Sequence, residues 1–337
     1  MSHPAEDTLW DAIVIGTGIG GGTVGRALAE AGQKVLFLEQ GAAGQRSERN
    51  GLSEIFVPEA RIARGLWPEP LTATVDRRTS QFYAPLGAGV GGSSAFYAAT
   101  LERPERHDLD DSPERPHPTG GWPVSFDALR PYFDRAAGLF HVHGTPDPLS
   151  DEPPLQLLAP PPLRPGEAAL HRMIQDAGLH PYHAHTAIRR VEGCLNCLGV
   201  KCPRTCKMDG RSAGVEPALA TGNATLLDRA EVLRLLGTGD QVEGLCVRIG
   251  QGTLTLRARR YILAAGALGS PRLLLGSACE SWPDGAANRS GLVGRNLMFH
   301  LNEIFALWPP RRTPDDGATK AIAPRDLYPS PEGHTGT

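Results

Sequence analysis

The feature that most constrains the fold of this chain is a glycine-rich turn near its N-terminus, set between an apolar strand and a helix. The strand pattern covers Ala12–Ile15, and a second apolar stretch ends at Glu39. Between them the apolar residues have helical spacing, which stops at Gly32. Three glycines of the turn share the spacing G-x-G-x-x-G: Gly16, Gly18 and Gly21. The pattern predicts a βαβ unit and therefore an α/β fold.

Each position of this unit has a defined role in binding a dinucleotide. Gly16 permits the tight turn, Gly18 lets the backbone approach a pyrophosphate, and Gly21 lets the helix pack closely on the strand. Glu39 lies 23 residues after Gly16, where a carboxylate accepts hydrogen bonds from ribose hydroxyls. Because an acid at this position disfavours a 2′-phosphate, the sequence predicts bound FAD or NAD rather than NADP.

The bulk composition argues against two classes of partner. The chain has 337 residues and a net charge of −3, with no dense block of lysine or arginine. This disfavours nucleic acid or an anionic membrane as its main partner. No apolar run approaches the roughly 20 residues that a membrane helix needs, and the N-terminal stretch lacks the pattern of a secretory signal. The expected localisation is therefore cytoplasmic, while export with a signal-bearing partner stays open.

Glycine (40 residues) and proline (30 residues) are frequent in the whole chain. This composition predicts short elements joined by long loops outside the βαβ unit. Residues 41–80 predict loops with short helices, and 85–104 form a second glycine-rich stretch that leads into a helical pattern. The other predicted elements are helices at 121–142 (entered through Ser125) and 166–178, a strand near 225–236, a hairpin at 242–263, a strand followed by a helix at 261–278, and a last element at 300–308.

Four motifs occur in the order seen in a known enzyme family. They are the fingerprint from Gly16 to Glu39, "GVGGSS" (89–94), "YILAAGALGSPRLLL" (261–275) and "GLVGRNLMFH" (291–300). In these motifs, and in "GWP…FDALRPYF", the chain resembles the glucose–methanol–choline (GMC) family of FAD oxidoreductases over residues 10–325. It is nearest in motif to bacterial sugar and alcohol dehydrogenases with a cysteine-rich loop. One departure is Tyr97, which stands where many members carry Asn.

The resemblance implies FAD, bound in extended form, and a small-molecule alcohol or sugar as substrate. The cofactor contacts that it implies are Gly16, Gly18 and Gly21 for the pyrophosphate, Glu39 for the adenosine ribose, Gly91, Gly92 and Ser93 for the flavin side, the backbone of Val232 for the adenine, and Ala265 and Gly266 for a second close-approach turn.

The resemblance also implies a domain organisation. Residues 10–108 and 216–300 would form the two parts of an FAD-binding, Rossmann-like α/β domain. Residues 109–215 would form a loop-rich insertion with a cysteine cluster and part of the substrate domain, and 301–337 would begin the rest of that domain. The fold class is therefore expected to be α/β of the GMC type, with an incomplete substrate domain.

The resemblance supplies no catalytic residue in this chain. In the family the active-site His and its His or Asn partner follow an "NLMFH"-type segment, and this chain ends before them. The histidines of "HPYHAH" (180–185) and His300 match no catalytic motif of the family. The expectation is a truncated reading frame, or a separate C-terminal polypeptide that completes the active site.

Four of the six cysteines lie within thirteen positions, spaced Cys194-x2-Cys197-x4-Cys202-x3-Cys206. Only one C-x-x-C pair is present, which makes a zinc knuckle a poor fit, whereas iron–sulfur clusters accept compact spacings. Disulfides or redox-active thiols, zinc, and unligated thiols stay open as alternatives. The last three cysteines resemble the loop that carries a three-iron cluster in FAD glucose and fructose dehydrogenases. That resemblance implies Cys197, Cys202 and Cys206 as cluster ligands.

Three functions are compatible with these observations. The first is an FAD-dependent dehydrogenase that oxidises a CH–OH group by hydride transfer to flavin N5, with electrons passing to an acceptor other than NAD, such as an acceptor protein. The second is a catalytically silent FAD-binding fragment. The third is an NAD-linked reductase that shares only the βαβ unit, which the later motifs disfavour.

Overall fold

The structure is a computed structural model that describes residues 3–48, 57–298 and 320–328. The chain divides into two compact units. Unit 1 comprises residues 1–97, 199–205 and 209–298, and unit 2 comprises 98–198, 206–208 and 299–337. The predicted segment boundaries after 108, 215 and 300 stay predictions. The element predicted at 300–308 lies outside the described residues.

The described strands are β1 (Leu9–Trp10), β2 (Ala12–Ile15), β3 (Val35–Leu38), β4 (Leu71–Val75), β5 (Arg78–Phe82), β6 (Tyr182–His183), β7 (Ala224–Leu227), β8 (Ala230–Thr238), β9 (Gln241–Ile249), β10 (Gly252–Ala258), β11 (Tyr261–Leu263) and β12 (Ile322–Ala323). The α-helices are α1 (Ile19–Glu30), α2 (Pro58–Arg64), α3 (Phe126–Leu139), α4 (Pro165–Asp176), α5 (Glu216–Ala220) and α6 (Gly266–Gly276). Two 3₁₀ turns cover Gly92–Ala95 and Arg106–Asp108, and a π-helical turn covers Gly210–Val215.

A four-stranded parallel sheet lies at the centre of unit 1, in the order β11-β2-β3-β7. Ile13 of β2 is in register with Leu36 of β3 on one side and with Tyr261 of β11 on the other. Every residue of β2 and β3 is at most 5% exposed. Continuous apolar strands of this kind are typical of parallel sheets covered on both faces. The βαβ unit predicted from the glycine pattern is confirmed.

The two faces of this sheet pack into separate cores, as the alternation of side chains along a strand requires. Ile13, Ile15, Leu36 and Leu38 point into a core shared with the antiparallel β-sheet β1-β10-β9-β8, through Leu245, Val247 and Leu256. Val14, Val35 and Phe37 point the other way, into a core shared with Ala29, Val215 and Ala218. The sheet is therefore fixed from both sides, which makes its carboxyl ends a rigid platform.

The structure differs from the predicted elements of unit 1 in three places. The apolar segment at 225–236 is two strands: β7 joins the parallel sheet, and β8 pairs with β9, after a break where Arg229 has a φ of +51°. Residues 41–80 contain α2, but also the β4–β5 hairpin, which was not predicted. The glycine-rich stretch at 85–104 leads into a single 3₁₀ turn, Gly92–Ala95, rather than a helix.

Unit 2 follows the prediction more closely. Ser125 caps α3, because its side chain accepts a hydrogen bond from the backbone N–H of Ala128. Residues 146–164, which are rich in proline, contain no helix or extended strand before α4 begins at Pro165. Strand β6 pairs antiparallel with β12. Within the described parts of both units, no helix has the length and apolarity needed to cross a bilayer.

Candidate cofactor site

The candidate site of unit 1 lies at the carboxyl ends of the parallel strands. Gly16, Glu39, Asp228 and Ala264 directly follow β2, β3, β7 and β11, respectively. In open α/β sheets, ligands bind outside this edge, where the connections of the strands diverge. Two of the predicted cofactor residues, Gly16 and Glu39, are thereby brought to the same edge.

The turn after β2 shows which of its glycines are packed and which face open space. A Cβ on Gly16, whose φ is +100°, would lie 2.4 Å from the carbonyl oxygen of Ala264. A Cβ on Gly21 would lie 2.1 Å from the carbonyl oxygen of Gly16. By contrast, a Cβ on Gly18 would meet no protein atom within 4 Å. The turn therefore leaves room beside Gly18, at the N-terminus of α1, where the backbone can approach a pyrophosphate.

Two further segments of unit 1 converge on Gly18. A Cβ on Gly92 would lie 3.0 Å from the Cα of Gly18, and a Cβ on Gly210 would lie 2.6 Å from its carbonyl carbon. The Ser94 hydroxyl joins these segments, since it donates to the carbonyl of Gly91 (2.6 Å) and accepts from the backbone N–H of Gly210 (2.9 Å). The predicted second glycine loop thus lies directly on the first.

Glu39 is held by hydrogen bonds from the adjacent turns. It is 5% exposed. Its Oε2 accepts from the hydroxyl and the backbone N–H of Thr17, and its Oε1 accepts from the backbone N–H of Gly41 at 3.0 Å. Burial raises the pKa of the Glu39 carboxyl above its ordinary value, although these hydrogen bonds oppose the shift. The acid is therefore oriented before any ligand binds.

Comparison with known proteins assigns this arrangement to a family. The sequence model of the GMC oxidoreductases matches residues 11–302. The chain belongs to the GMC oxidoreductase family. It is 29% identical over 320 residues to paromamine 6'-oxidase of Streptomyces fradiae, covering 89% of this chain and 56% of that protein. It is also 29% identical to 2-methyl-1,2-propanediol dehydrogenase of Mycolicibacterium austroafricanum, covering 91% of this chain and 57% of that protein.

A third relative in the GMC family is 5-(hydroxymethyl)furfural oxidase of Methylovorus sp. (strain MP688), at 28% identity over 87% of this chain and 57% of that protein. The chain thus spans about half the length of the curated relatives it matches. Solved structures show the same fold. A formate oxidase variant of Aspergillus oryzae superposes with a TM-score of 0.55 at 19% identity, covering 81% of this chain and 48% of that one. Pyridoxine 4-oxidase of Mesorbium loti gives 0.50 at 20% identity, covering 80% and 52%.

The remaining predicted cofactor residues also lie in unit 1, and one of them contacts the turn after β2. A Cβ on Gly16 would lie 3.1 Å from the Cα of Ala265, so this part of the second signature contacts the first. Gly266 follows with a φ of +80°. The Ser93 hydroxyl accepts from the backbone N–H of Gly87 and so stabilises its own loop. Val232 of β8 is in register with Val247 of β9. The contact of the Val232 backbone with the adenine stays a prediction.

The three predicted cluster cysteines are buried, but the described residues show no ligand set. Cys197, Cys202 and Cys206 are 4%, 5% and 2% exposed. None of the six cysteines, all of which lie in described residues, forms a disulfide. The described residues also contain no group of three or more His, Cys, Asp or Glu side chains that could hold a metal ion. The iron–sulfur cluster therefore stays a prediction from the sequence.

Two histidines of the segment 180–185, His180 and His185, have side-chain partners within unit 2. His180 Nδ1 lies 2.6 Å from Asp326. His185 Nδ1 lies 2.8 Å from Glu102, and its Nε2 lies 2.9 Å from the carbonyl of Thr145. These contacts suit residues that hold the fold of the unit. His300 lies outside the described residues.

Sequence reasoning missed two parts of the site. Thr17 is fully buried, and its hydroxyl fixes Glu39, although an x position of the fingerprint gave no reason to single it out. The π-helical turn at Gly210–Val215 was also missed. Its N-cap, Asp209, accepts from the backbone N–H of Ser212 at 2.7 Å. Aspartate is a preferred N-cap residue, so Asp209 is a helix-start signal that could have located the turn.

The raised pKa of Glu39 predicts how pH affects the flavin-free chain. Because the folded-state pKa lies above the unfolded one, the protonated carboxyl favours the folded state, and stability falls as pH rises through the folded pKa. We expect Glu39→Gln to remove this part of the pH dependence. Urea unfolding from pH 4 to 8 measures it. Glu30→Gln, at an exposed position of α1, is the matched control and should keep the wild-type pH dependence. Parallel curves for Glu39→Gln and the wild type would contradict the prediction.

Proposed function

We propose that this chain binds FAD and forms the cofactor-binding part of an oxidoreductase that oxidises the CH–OH group of a sugar, a polyol or another alcohol. The observation that carries the proposal is the open space beside Gly18 at the start of α1, together with the close approach of the Gly92 and Gly210 segments to the Gly18 backbone. Membership of the GMC oxidoreductase family supports it. Two relatives are named for hydroxyl-bearing compounds, a propanediol and a hydroxymethylfurfural.

In this proposal the residues of unit 1 bind and orient the cofactor. FAD, when bound, supplies a hydride acceptor at flavin N5. The backbone around Gly18 and the free N–H groups that begin α1 hold the pyrophosphate. Glu39 accepts hydrogen bonds from the adenosine ribose, for which its carboxylate is already oriented by Thr17 and Gly41. Gly91, Gly92 and Ser93 lie along the flavin side.

The proposal assigns the electrons to an acceptor other than NAD, either a small molecule or an acceptor protein. The resemblance to the GMC family supports this assignment, because the family uses its βαβ unit to bind FAD. Cys197, Cys202 and Cys206 stay predicted ligands of an iron–sulfur cluster, and the described residues show no ligand set that supports them. Iron analysis of the anaerobically purified chain tests that prediction on its own.

A second candidate function follows from the fraction of each relative's length that the chain covers. Since the chain spans 56% and 57% of two curated relatives, it could bind FAD and yet oxidise no alcohol by itself. In that case a complementary polypeptide would supply the remaining part of the active site.

One experiment separates the two candidates. We expect the purified chain to show flavin absorbance and to release about one FAD per chain on denaturation, because the site is built before the ligand binds. The sample is then assayed with a panel of sugars, polyols and simple alcohols and an artificial dye as electron acceptor. Turnover supports the first candidate, and bound FAD without turnover supports the second. A chain that neither retains FAD nor takes it up from solution contradicts both.

A further inference from the structure

A cavity of about 200 Å³ lies wholly within unit 2. Its walls come from the proline-rich segment 160–163, the start of α4, strand β6 and the residues that lead into β12. It is smaller than the roughly 300–1,000 Å³ of pockets that hold drug-sized ligands, so it suits a compact ligand. The proposed FAD site uses none of these residues.

The charged side chains around the cavity are mostly cations. Arg164, Arg190 and Lys320 line it, against the single carboxylate of Glu167. That carboxylate is already engaged, since it lies 2.9 Å from the Arg164 guanidinium and accepts from the backbone N–H of Arg164 at 2.8 Å. His183 adds no charge at neutral pH, because burial and the nearby His171 lower its pKa. The cavity therefore has a net positive charge.

Arg190 is the cation of this cavity that has an unsatisfied hydrogen-bond donor. One of its terminal nitrogens donates to the side-chain oxygen of Asn196 at 3.0 Å. Its Nε is buried without a hydrogen-bond partner, and no ion pair within the described residues joins it to a carboxylate. Burial lowers the pKa of Arg190, although the nearby Cys194 and Glu167 oppose this shift. A buried donor without a hydrogen-bond partner is unfavourable. An anion in the cavity that accepted from this donor would remove that cost.

We propose that this cavity is a binding site for a phosphate group, either as the free ion or as part of a phosphorylated small molecule. The guanidinium of Arg190 presents donors in a planar fork that matches two oxygens of a phosphate, and Lys320 supplies a second charge. Thr186, which is 3% exposed, also lines the cavity. The inference does not depend on the proposed oxidoreductase function.

The test is isothermal titration calorimetry of the full chain, loaded with FAD where it binds, with inorganic phosphate at constant ionic strength. We expect saturable binding that Arg190→Gln and Lys320→Gln each weaken at least about tenfold, the effect of losing one charge-assisted hydrogen bond. Arg172→Gln removes the same charge from an exposed position of α4 and should leave the affinity unchanged. Glycerol 3-phosphate and glycerol are titrated in parallel, and tighter binding of the phosphoester than of free phosphate identifies a phosphorylated small molecule as the ligand.

Two results would overturn the proposal. One is the absence of saturable phosphate binding to the wild-type chain. The other is an affinity in Lys320→Gln equal to that in Arg172→Gln, because phosphate would then bind elsewhere. Lys320 is exposed, so its replacement tests the site even if Arg190→Gln is poorly folded.

Discussion

Replacing Gly18 with alanine is expected to weaken FAD binding by up to about a hundredfold while the flavin-free chain still folds. The φ of Gly18 is −62°, which suits alanine, and the added Cβ would meet no protein atom within 4 Å. The methyl group would instead occupy the space that the proposal gives to the pyrophosphate. Overpacking of that kind costs about 1–3 kcal/mol. Flavin fluorescence measures the Kd for FAD, and urea unfolding of the same protein measures its stability.

The control for this variant is Gly20→Ala, in the first turn of α1. A Cβ on Gly20 also meets nothing within 4 Å, but this residue is exposed and lies outside the convergence of the three glycine segments. Alanine keeps the backbone N–H of this position, so the FAD affinity of the variant should equal that of the wild type. If Gly18→Ala bound FAD as tightly as Gly20→Ala does, the pyrophosphate would not lie at this turn, and the proposed binding mode would be wrong.

The part of the site that could be predicted from the sequence is the part built from neighbours in the chain. Gly16, Gly21 and Glu39 belong to one strand–helix–strand unit, whose geometry follows from strand and helix periodicity. Their packing is accordingly what the spacing predicted, with Gly21 against the Gly16 carbonyl. The exposed face of Gly18 was likewise expected from its role.

The part that could not be predicted depends on residues far apart in the chain. The hydrogen bond between Ser94 and Gly210 joins positions 116 residues apart, and no local pattern specifies that pairing. The same is true of the cavity in unit 2, where Arg190 and Lys320 come together only because β6 pairs with β12. Sequence motifs identified segments of the site, and only the tertiary fold shows which of them meet.

Two errors in the predicted elements have a common physical cause, which is a turn without its usual residues. The β4–β5 hairpin turns at Asp76 and Arg77, both with positive φ (48° and 65°), although hairpins of this type prefer Asn-Gly or Asp-Gly. The split between β7 and β8 occurs at Arg229, again with positive φ and no glycine. Without a glycine to mark either turn, the sequence carries no strong local turn signal, so periodicity alone merges or misses the strands.

Gly21→Ala is expected to lower the free energy of unfolding of the flavin-free chain by about 1–3 kcal/mol or more. The added Cβ would lie 2.1 Å from the Gly16 carbonyl oxygen and 3.2 Å from the Cβ of Ala264. Both belong to the turns at the carboxyl ends of β2 and β11, where the backbone is held by the buried sheet and cannot move aside cheaply. Helix α1 would have to shift away from the sheet and lose packing at Ala29. Urea unfolding followed by far-UV circular dichroism measures the change.

Gly20→Ala serves here as well, because it adds the same methyl group one residue earlier in the same helix. Alanine is the better helix former by up to about 1 kcal/mol, and the methyl group meets no protein atom, so this variant should be as stable as the wild type or more stable. If Gly21→Ala lowers the free energy of unfolding and Gly20→Ala does not, the difference comes from the atoms that each added Cβ contacts. Equal unfolding midpoints for the two variants would contradict the close approach of α1 to the turn after β2. Such a result would leave Gly21 without the packing role that both its spacing and its contacts assign to it.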